Sequence, residues 1–347
     1  MLKSRNEHLP SLTGMRWFAA LLVFGLHVHV VRYFDGDGAG QPVRWLFGAG
    51  ATGVSFFFIL SGFVLAWSAR DGDGPVSFWR RRLARVYPVH VVTAGAALLL
   101  AFQLVPGLVP SAEAATANLL LVHSWVPVPA YDQSLNPVSW SLACEVFFYL
   151  AFPLLYRLTR RLSPGWLWTT AAAATVVVVT APLFLEPRVV YFFPPVRLAE
   201  FALGVALARL VRLGAWRGVG YPVALAVTAV GYATSAVFTP GPFRHAACTV
   251  VGFGLLIVAG AVADVDGKRS LARHPLVVRL GELSFAFYMV HILVIRTGEY
   301  VWARHPQLGV FPALGMTALA GGVSLGLSWL LHEWVERPGR RWMLRGA

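Results

Sequence analysis

Residues 15–34 read MRWFAALLVFGLHVHVVRYF. About 20 mostly apolar residues suffice to span a bilayer core as one helix, so this run reads as a membrane span. Arg16 stands at one end of it, and His27 lies seven residues from the other. An ionisable side chain inside a span is costly and marks a candidate site. Outward from this run, the same criterion gives nine further segments: 46–69, 87–105, 138–159, 166–185, 195–212, 219–238, 246–263, 280–301 and 312–332. The stretch 115–127 is apolar but short and runs into Val126-Pro127-Val128-Pro129. It reads as a re-entrant or interfacial piece in a long loop between the third and fourth spans.

Composition agrees. The 347 residues are 57% hydrophobic and only 13% charged, whereas soluble domains are about 25% charged. That excludes an ordinary soluble enzyme, a disordered chain and a fibre. The net charge of +13 suggests either a nucleic-acid partner or the positive-inside rule. With a cytoplasmic N-terminus and ten alternating spans, 22 of the 29 basic residues are cytoplasmic. The other seven are Arg32, Arg44, Arg188, Arg197, Arg244, Arg296 and Arg304. An eleventh span at 115–127 would reverse everything after it. The charge excess is therefore topological, and no nucleic-acid partner is expected. The predicted fold is all-α: a polytopic membrane helix bundle of about ten transmembrane helices, both termini cytoplasmic, in the plasma membrane. It forms a single domain over 1–347 with no appended soluble domain. Lys3 and Arg5 before the first span resemble a signal peptide, but the run is long enough to stay as a span. Cys144 and Cys248 lie in apolar runs and suggest no disulfide framework.

The polar residues within the spans carry the functional reading. Arg16 and His27 are eleven residues apart, about three turns plus 20°, so they share one helix face roughly 16 Å apart along the axis. A cation at the rim and an imidazole deep in the bilayer suit a long ligand with phosphate at one end and a reactive group at the other, such as acyl-coenzyme A. Taken singly, Arg16 is also a positive-inside anchor and His27 an interior hydrogen-bonded histidine. Glu145 lies at a depth similar to His27 and could orient it as a base–orienter pair, or hydrogen-bond Trp140 or Tyr149 instead. Arg82 and Arg85, at i,i+3, could clamp phosphate oxygens or anchor lipid headgroups. Arg197 and Glu200 read as an interhelical ion pair near the outer face or as site lining. His291, near the middle of the ninth span, lines the channel or bonds a neighbouring helix. Ser61-Gly62 suits close helix packing. The pairs Asp35-Gly-Asp37 and Asp71-Gly-Asp73 read as polar turns, and no metal site is expected.

The chain resembles the acyltransferase 3 family of integral membrane O-acyltransferases, which are bacterial membrane enzymes. Leu12-Thr13-Gly14-Met15-Arg16 followed by ten residues and His27 is similar to the family's Arg-x10-His signature. Gly53 to Phe63, with Ser61, resembles its second-helix motif, and Arg81 to Pro88 its arginine-rich element. Trp140-Ser141-Leu142-Ala143-Cys144-Glu145 through Tyr149 resembles its Trp-Ser-Leu-x-x-Glu-x-x-Phe-Tyr motif, with Cys144 in place of the usual Glu or Val. Arg197 to Gly204, Leu280 to His291 and Glu336-Arg337-Pro338 match later elements. The resemblance implies O-acylation, often O-acetylation, of a hydroxyl on a carbohydrate or glycosylated acceptor. Its co-substrate is acyl-CoA, in particular acetyl-CoA, with no bound cofactor. His27 is then the central catalytic group with Glu145 orienting it. Arg16, Arg82 and Arg85 bind the donor, and Ser61, Trp140, Tyr149, Arg197, Glu200 and His291 line the site. A separate acyl-accepting protein is a possible partner. The rival reading is a transporter or flippase for a lipid-linked or glycan substrate, although no inverted repeat is visible.

Overall fold

The computed structural model describes residues 8–35, 40–70, 72, 74–238, 241–302 and 307–345. Lys3, Arg5, Asp37, Asp71, Asp73 and Arg304 lie outside them. Fifteen α-helices follow in order: α1 (Pro10–Val30), α2 (Gly40–Phe47), α3 (Thr52–Ser68), α4 (Pro75–Leu104), α5 (Ala112–Leu119), α6 (Pro129–Asp132), α7 (Trp140–Thr159), α8 (Pro164–Phe184), α9 (Pro187–Phe192), α10 (Pro194–Arg212), α11 (Tyr221–Val237), α12 (Val250–Val265), α13 (Pro275–Trp302), α14 (Val310–Leu331) and α15 (Arg337–Leu344). Among the described residues there is no strand. Seven of the helices open on proline, whose fixed φ suits the first turn and whose missing N–H costs nothing there.

The ten helices of 16 residues or more follow the ten predicted segments in order. Among the described residues, seven helices are long and apolar enough to cross a membrane, so the protein is a multi-pass membrane protein. The other three are α11 and α12, which are shorter, and α10, which carries Arg197, Glu200, Arg209 and Arg212. The third segment begins earlier than read. The apolar segment starts at residue 87, yet α4 runs unbroken from Pro75 through Pro88, so Arg80 to Arg85 sit on its early turns, in keeping with the i,i+3 reading of Arg82 and Arg85. The stretch 115–127 is broken: α5 ends at Leu119, Leu121 has φ +57°, and a 3₁₀ turn follows at His123–Trp125.

The contacts divide the chain into two compact units, residues 1–19, 51–73 and 147–282, and residues 20–50, 74–146 and 283–347. In the first unit, α3 and α10 pack backbone to backbone. A methyl group at Gly62 would collide with the Phe201 carbonyl, and one at Gly204 with the Ile59 carbonyl. Small residues permit such approach, which substitutes in membranes for the hydrophobic drive. Phe148 fills the seam, its ring centroid 5.0 Å from both Phe58 and Phe201. The start of α1 is capped by Asp264, whose carboxylate accepts the Ser11 amide at 2.8 Å and the Ser11 hydroxyl at 2.7 Å, as suits the positive end of a helix.

In the second unit, α1 and α13 run parallel. Phe24 meets Phe287 at 5.6 Å, and the Tyr33 hydroxyl donates to the Ile295 carbonyl at 3.3 Å. The segment 112–139 folds around fully buried Asn118, whose amide donates to Ser134 O at 2.7 Å and Ser139 Oγ at 3.0 Å. Asn136 ties this segment to α13 by donating to Met289 O at 2.7 Å. A π-helical turn, His332–Glu336, joins α14 to α15. Arg80 Nε donates to the Met343 carbonyl at the end of α15, at 2.8 Å.

Candidate active site

His27 and His291 come together in the second unit. His291 Nε2 and His27 Nδ1 are 2.9 Å apart. His291 Nδ1 lies 2.7 Å from the Tyr288 carbonyl and 3.2 Å from that of Phe287. A carbonyl only accepts, so His291 Nδ1 carries the proton. In a neutral imidazole the other nitrogen is then an acceptor. His291 Nε2 therefore accepts from His27 Nδ1–H, and the lone pair of His27 is left on Nε2. The partners fix both tautomers.

Exposure divides the pair. His291 is completely buried, whereas His27 keeps part of its surface accessible. The rings of Phe24, Phe287 and Tyr288 surround His291, with Phe287 stacked at 6.0 Å. Behind them, the Tyr288 hydroxyl donates to Val138 O at 3.1 Å and Ser141 Oγ donates to it at 3.0 Å. Asn136 holds the carbonyl of Met289, two residues before His291. The arrangement is a half-buried histidine with one unprotonated nitrogen, set on a buried orienting imidazole that is itself fixed by backbone.

The other sequence candidates fall into distinct settings. Arg16 is half-buried on α1, eleven residues before His27 on the same continuous helix. Arg82 and Arg85 are half-buried on α4, Arg82 with its guanidinium 5.4 Å from the Phe78 ring. Glu145 is half-buried on α7, and Trp140 is buried with its carbonyl accepting from Ser124 Oγ at 3.0 Å. At His27 Nδ1 the hydrogen-bond partner is His291.

Ser61 and Tyr149 belong to the first unit, Ser61 half-buried beside Gly62 in the α3–α10 seam and Tyr149 buried. Arg197 and Glu200 are ion-paired at 3.1 Å with 2% and 1% side-chain exposure. The pair lies i,i+3 within α10 and is not interhelical as expected. Arg197 also donates to Ser55 Oγ at 3.0 Å and lies over Phe58 and Tyr191. Among the described residues, no group of three or more His, Cys, Asp and Glu could hold a metal ion.

Comparison with known proteins matches the family described as acyltransferase domain, numbered 3, to residues 9–333. This chain belongs to the acyltransferase 3 family. It is 41% identical to acyltransferase MdmB of Streptomyces mycarofaciens, over 97% of this chain and 93% of that protein. It is 28% identical to nodulation protein 10 of Rhizobium leguminosarum bv. viciae, over 97% and 94%. It is 23% identical to O-acetyltransferase OatA of Staphylococcus aureus, over 96% of this chain and 58% of OatA. No solved structure matches it. As a family member the chain is a membrane acyltransferase.

Several quoted family motifs acquire physical reasons here. Gly62 and Gly204 make the α3–α10 contact. In the same way Gly281 meets the Thr13 carbonyl and Gly14 the Ala272 carbonyl. Tyr288 and Ser141 sit inside quoted motifs, yet their role as a hydrogen-bonded support is readable only once α7 and α13 are placed. Asn136 lies four residues before the Trp140 motif and was missed. Its signal was a polar Asn-Pro step at the start of an apolar span.

Proposed function

We propose that this acyltransferase 3 member spans the plasma membrane ten times with both termini cytoplasmic. It moves an acetyl group from cytoplasmic acetyl-CoA to a hydroxyl of a carbohydrate or glycosylated acceptor. The observation that carries this reading is half-buried His27, whose Nε2 is left unprotonated by the His27–His291–Tyr288 hydrogen bonds. The basic asymmetry between predicted loops supports the topology.

In the proposed reaction the acceptor hydroxyl gives its proton to His27 Nε2 as its oxygen attacks the thioester carbonyl. The tetrahedral intermediate then breaks its C–S bond. The thiolate leaves and takes the proton back from the imidazolium, so His27 ends as it began. His291 Nε2 accepts from His27 Nδ1–H throughout and stabilises the imidazolium as it forms, the part a carboxylate plays in other base–orienter pairs. Arg16, Arg82 and Arg85 bind the donor's phosphates; guanidinium suits phosphate oxygens through its forked donors.

The test is transfer of radiolabelled acetyl from acetyl-CoA in membranes, with mass spectrometry of glycans and glycosylated metabolites from cells with and without the gene. A labelled, hydroxyl-linked product that disappears with His27→Ala is expected. Undiminished labelling in that variant sinks the assignment of His27, and Arg16→Ala with unaltered donor KM removes Arg16 from donor binding.

A further inference from the structure

The end of the second unit carries a cationic face that the proposed chemistry does not use. There α14, the π-helical turn and α15 run on as one 35-residue helix, Val310–Leu344, with only 17% of its apolar window buried. It is therefore an outer helix of the bundle and meets lipid along most of its length. Trp329, Trp334 and Trp342 are exposed along it, and tryptophan settles at the level of the lipid headgroups. From Arg337 onward the exposed side chains turn basic, with Arg337, Arg340, Arg341 and Arg345.

The packing of α15 fixes where these arginines point. It lies antiparallel to the first turns of α4. Gly339 sits on Pro88, where a methyl group would come within 2.8 Å of the proline ring. Arg80, earlier on α4, donates to the carbonyls of Met343 at 2.8 Å and Arg345 at 3.0 Å, which are at the negative end of α15. Gly339 and Met343 thus mark the stripe turned to α4. Arg337, Arg341 and Arg345, at i, i+4 and i+8, are offset from it by two residues, about 200°, and so lie on the opposite face. The nearby carboxylates are already matched, Glu333 with Arg337 and Glu336 with His332. Among the described residues, the side chains of Arg340, Arg341 and Arg345 make no ion pair.

We infer that this outer face of α15 binds anionic phospholipid headgroups, whose phosphate oxygens accept from Arg340, Arg341 and Arg345 beside Trp342. Guanidinium donors match phosphate oxygens in geometry and charge. A zwitterionic headgroup brings its own cation, so three arginines without a carboxylate select a lipid of net negative charge. The face continues a helix that is already exposed to lipid, and this places it at the membrane surface. The consequence is structural. Arg80, Arg81, Arg82 and Arg85 of α4 stand next to the arginines of α15, and a bound anion offsets their mutual repulsion and holds α15 on α4. The inference needs the multi-pass class and the position of α15, and it stands apart from the reading of His27.

Full-length protein in detergent, with phosphatidylglycerol or phosphatidylcholine of the same acyl chains added, tests it by native mass spectrometry and thermal unfolding. Wild type is expected to retain phosphatidylglycerol about fivefold over phosphatidylcholine, because only the former carries net charge to the arginines. It should also melt about 5 °C higher with phosphatidylglycerol, as a ligand of the folded state requires. Replacing Arg340, Arg341 and Arg345 together by Gln should bring the retention ratio close to one and remove the gain in melting temperature. The same three replaced by Lys keep the charge and should keep most of both. Equal retention of the two lipids by wild type overturns the inference, and so does undiminished selectivity in the Gln variant. Selectivity of wild type that is unchanged from about 0.1 to about 0.5 M NaCl overturns it as well, since screening weakens an exposed ionic contact; this reading does not depend on the variant folding. Stabilisation by coenzyme A without lipid, lost in the Gln variant, gives the arginines to a soluble polyphosphate and overturns the lipid.

Discussion

Two buried polar centres in this protein are built oppositely. In the first unit, Arg197 and Glu200 are ion-paired, adjacent on one helix and closed off, and Arg197 also donates to Ser55 Oγ and lies over Phe58 and Tyr191. In the second, His27 and His291 pair as neutral rings from two helices, and one nitrogen is left over. A buried ion pair is costly to desolvate and repays that only when its geometry and hydrogen bonds are good. At 2% and 1% exposure, this pair is enclosed. The neutral imidazole pair is cheaper to bury and keeps a lone pair that can accept a proton. Burial alone therefore does not distinguish a site; unspent hydrogen-bonding capacity next to accessible surface does.

The comparison breaks most sharply at His27. His27→Ala should lower acetyl transfer by about 10²–10⁴-fold, the range for a positioned acid–base group, with little change in thermal stability in detergent. Arg197→Ala should do the reverse. Removing one partner of a buried ion pair costs about 3–5 kcal/mol, so folded yield and melting temperature fall. If Arg197→Ala melts like wild type and abolishes transfer, the contrast between the centres is false. His291→Ala should give a smaller loss, about 10²-fold in kcat, with a displaced pH–rate profile because the tautomer of His27 is no longer fixed. His291→Glu should recover part of the rate, since a carboxylate can also accept from Nδ1–H. Recovery by His291→Leu would reduce His291 to packing.

The smallest effect expected is at His123, in the segment between α5 and α6. Burial, and secondarily the neighbouring His90 imidazole, push its pKa down to about 3, against about 6.5 in an unfolded chain. Between those values the unfolded state binds the extra proton, so stability is full above pH 6.5 and falls as pH drops towards 3. His123→Gln should flatten that fall in melting temperature. An unchanged slope would mean that other groups set it.

Much of this was legible in the residues. Apolar length located the long helices, and the eleven-residue spacing of Arg16 and His27 was a property of one helix, so it needed no tertiary information. The ordered motifs pointed to the acyltransferase 3 family before any geometry. Elsewhere, local reading failed in definable ways. The apolar criterion left out the first turns of α4, because a helix extends past the apolar region whenever its backbone bonds continue. The Arg197–Glu200 pair was assigned to two helices, although i,i+3 spacing already allowed one. Asn136 and Tyr288 were invisible as supports because their partners are backbone carbonyls, which every residue carries.

The sequence by itself determined the helical, multi-pass class and the candidate base, because hydrophobic length and helical period are encoded along one chain. Only the tertiary structure decided what stands beside His27. Residues 27 and 291 are 264 positions apart, and no periodicity links them. Which nitrogen keeps its lone pair depends on a third group, the carbonyl of Tyr288 on the turn before His291, and that choice reaches His27 only when α1 and α13 pack in parallel.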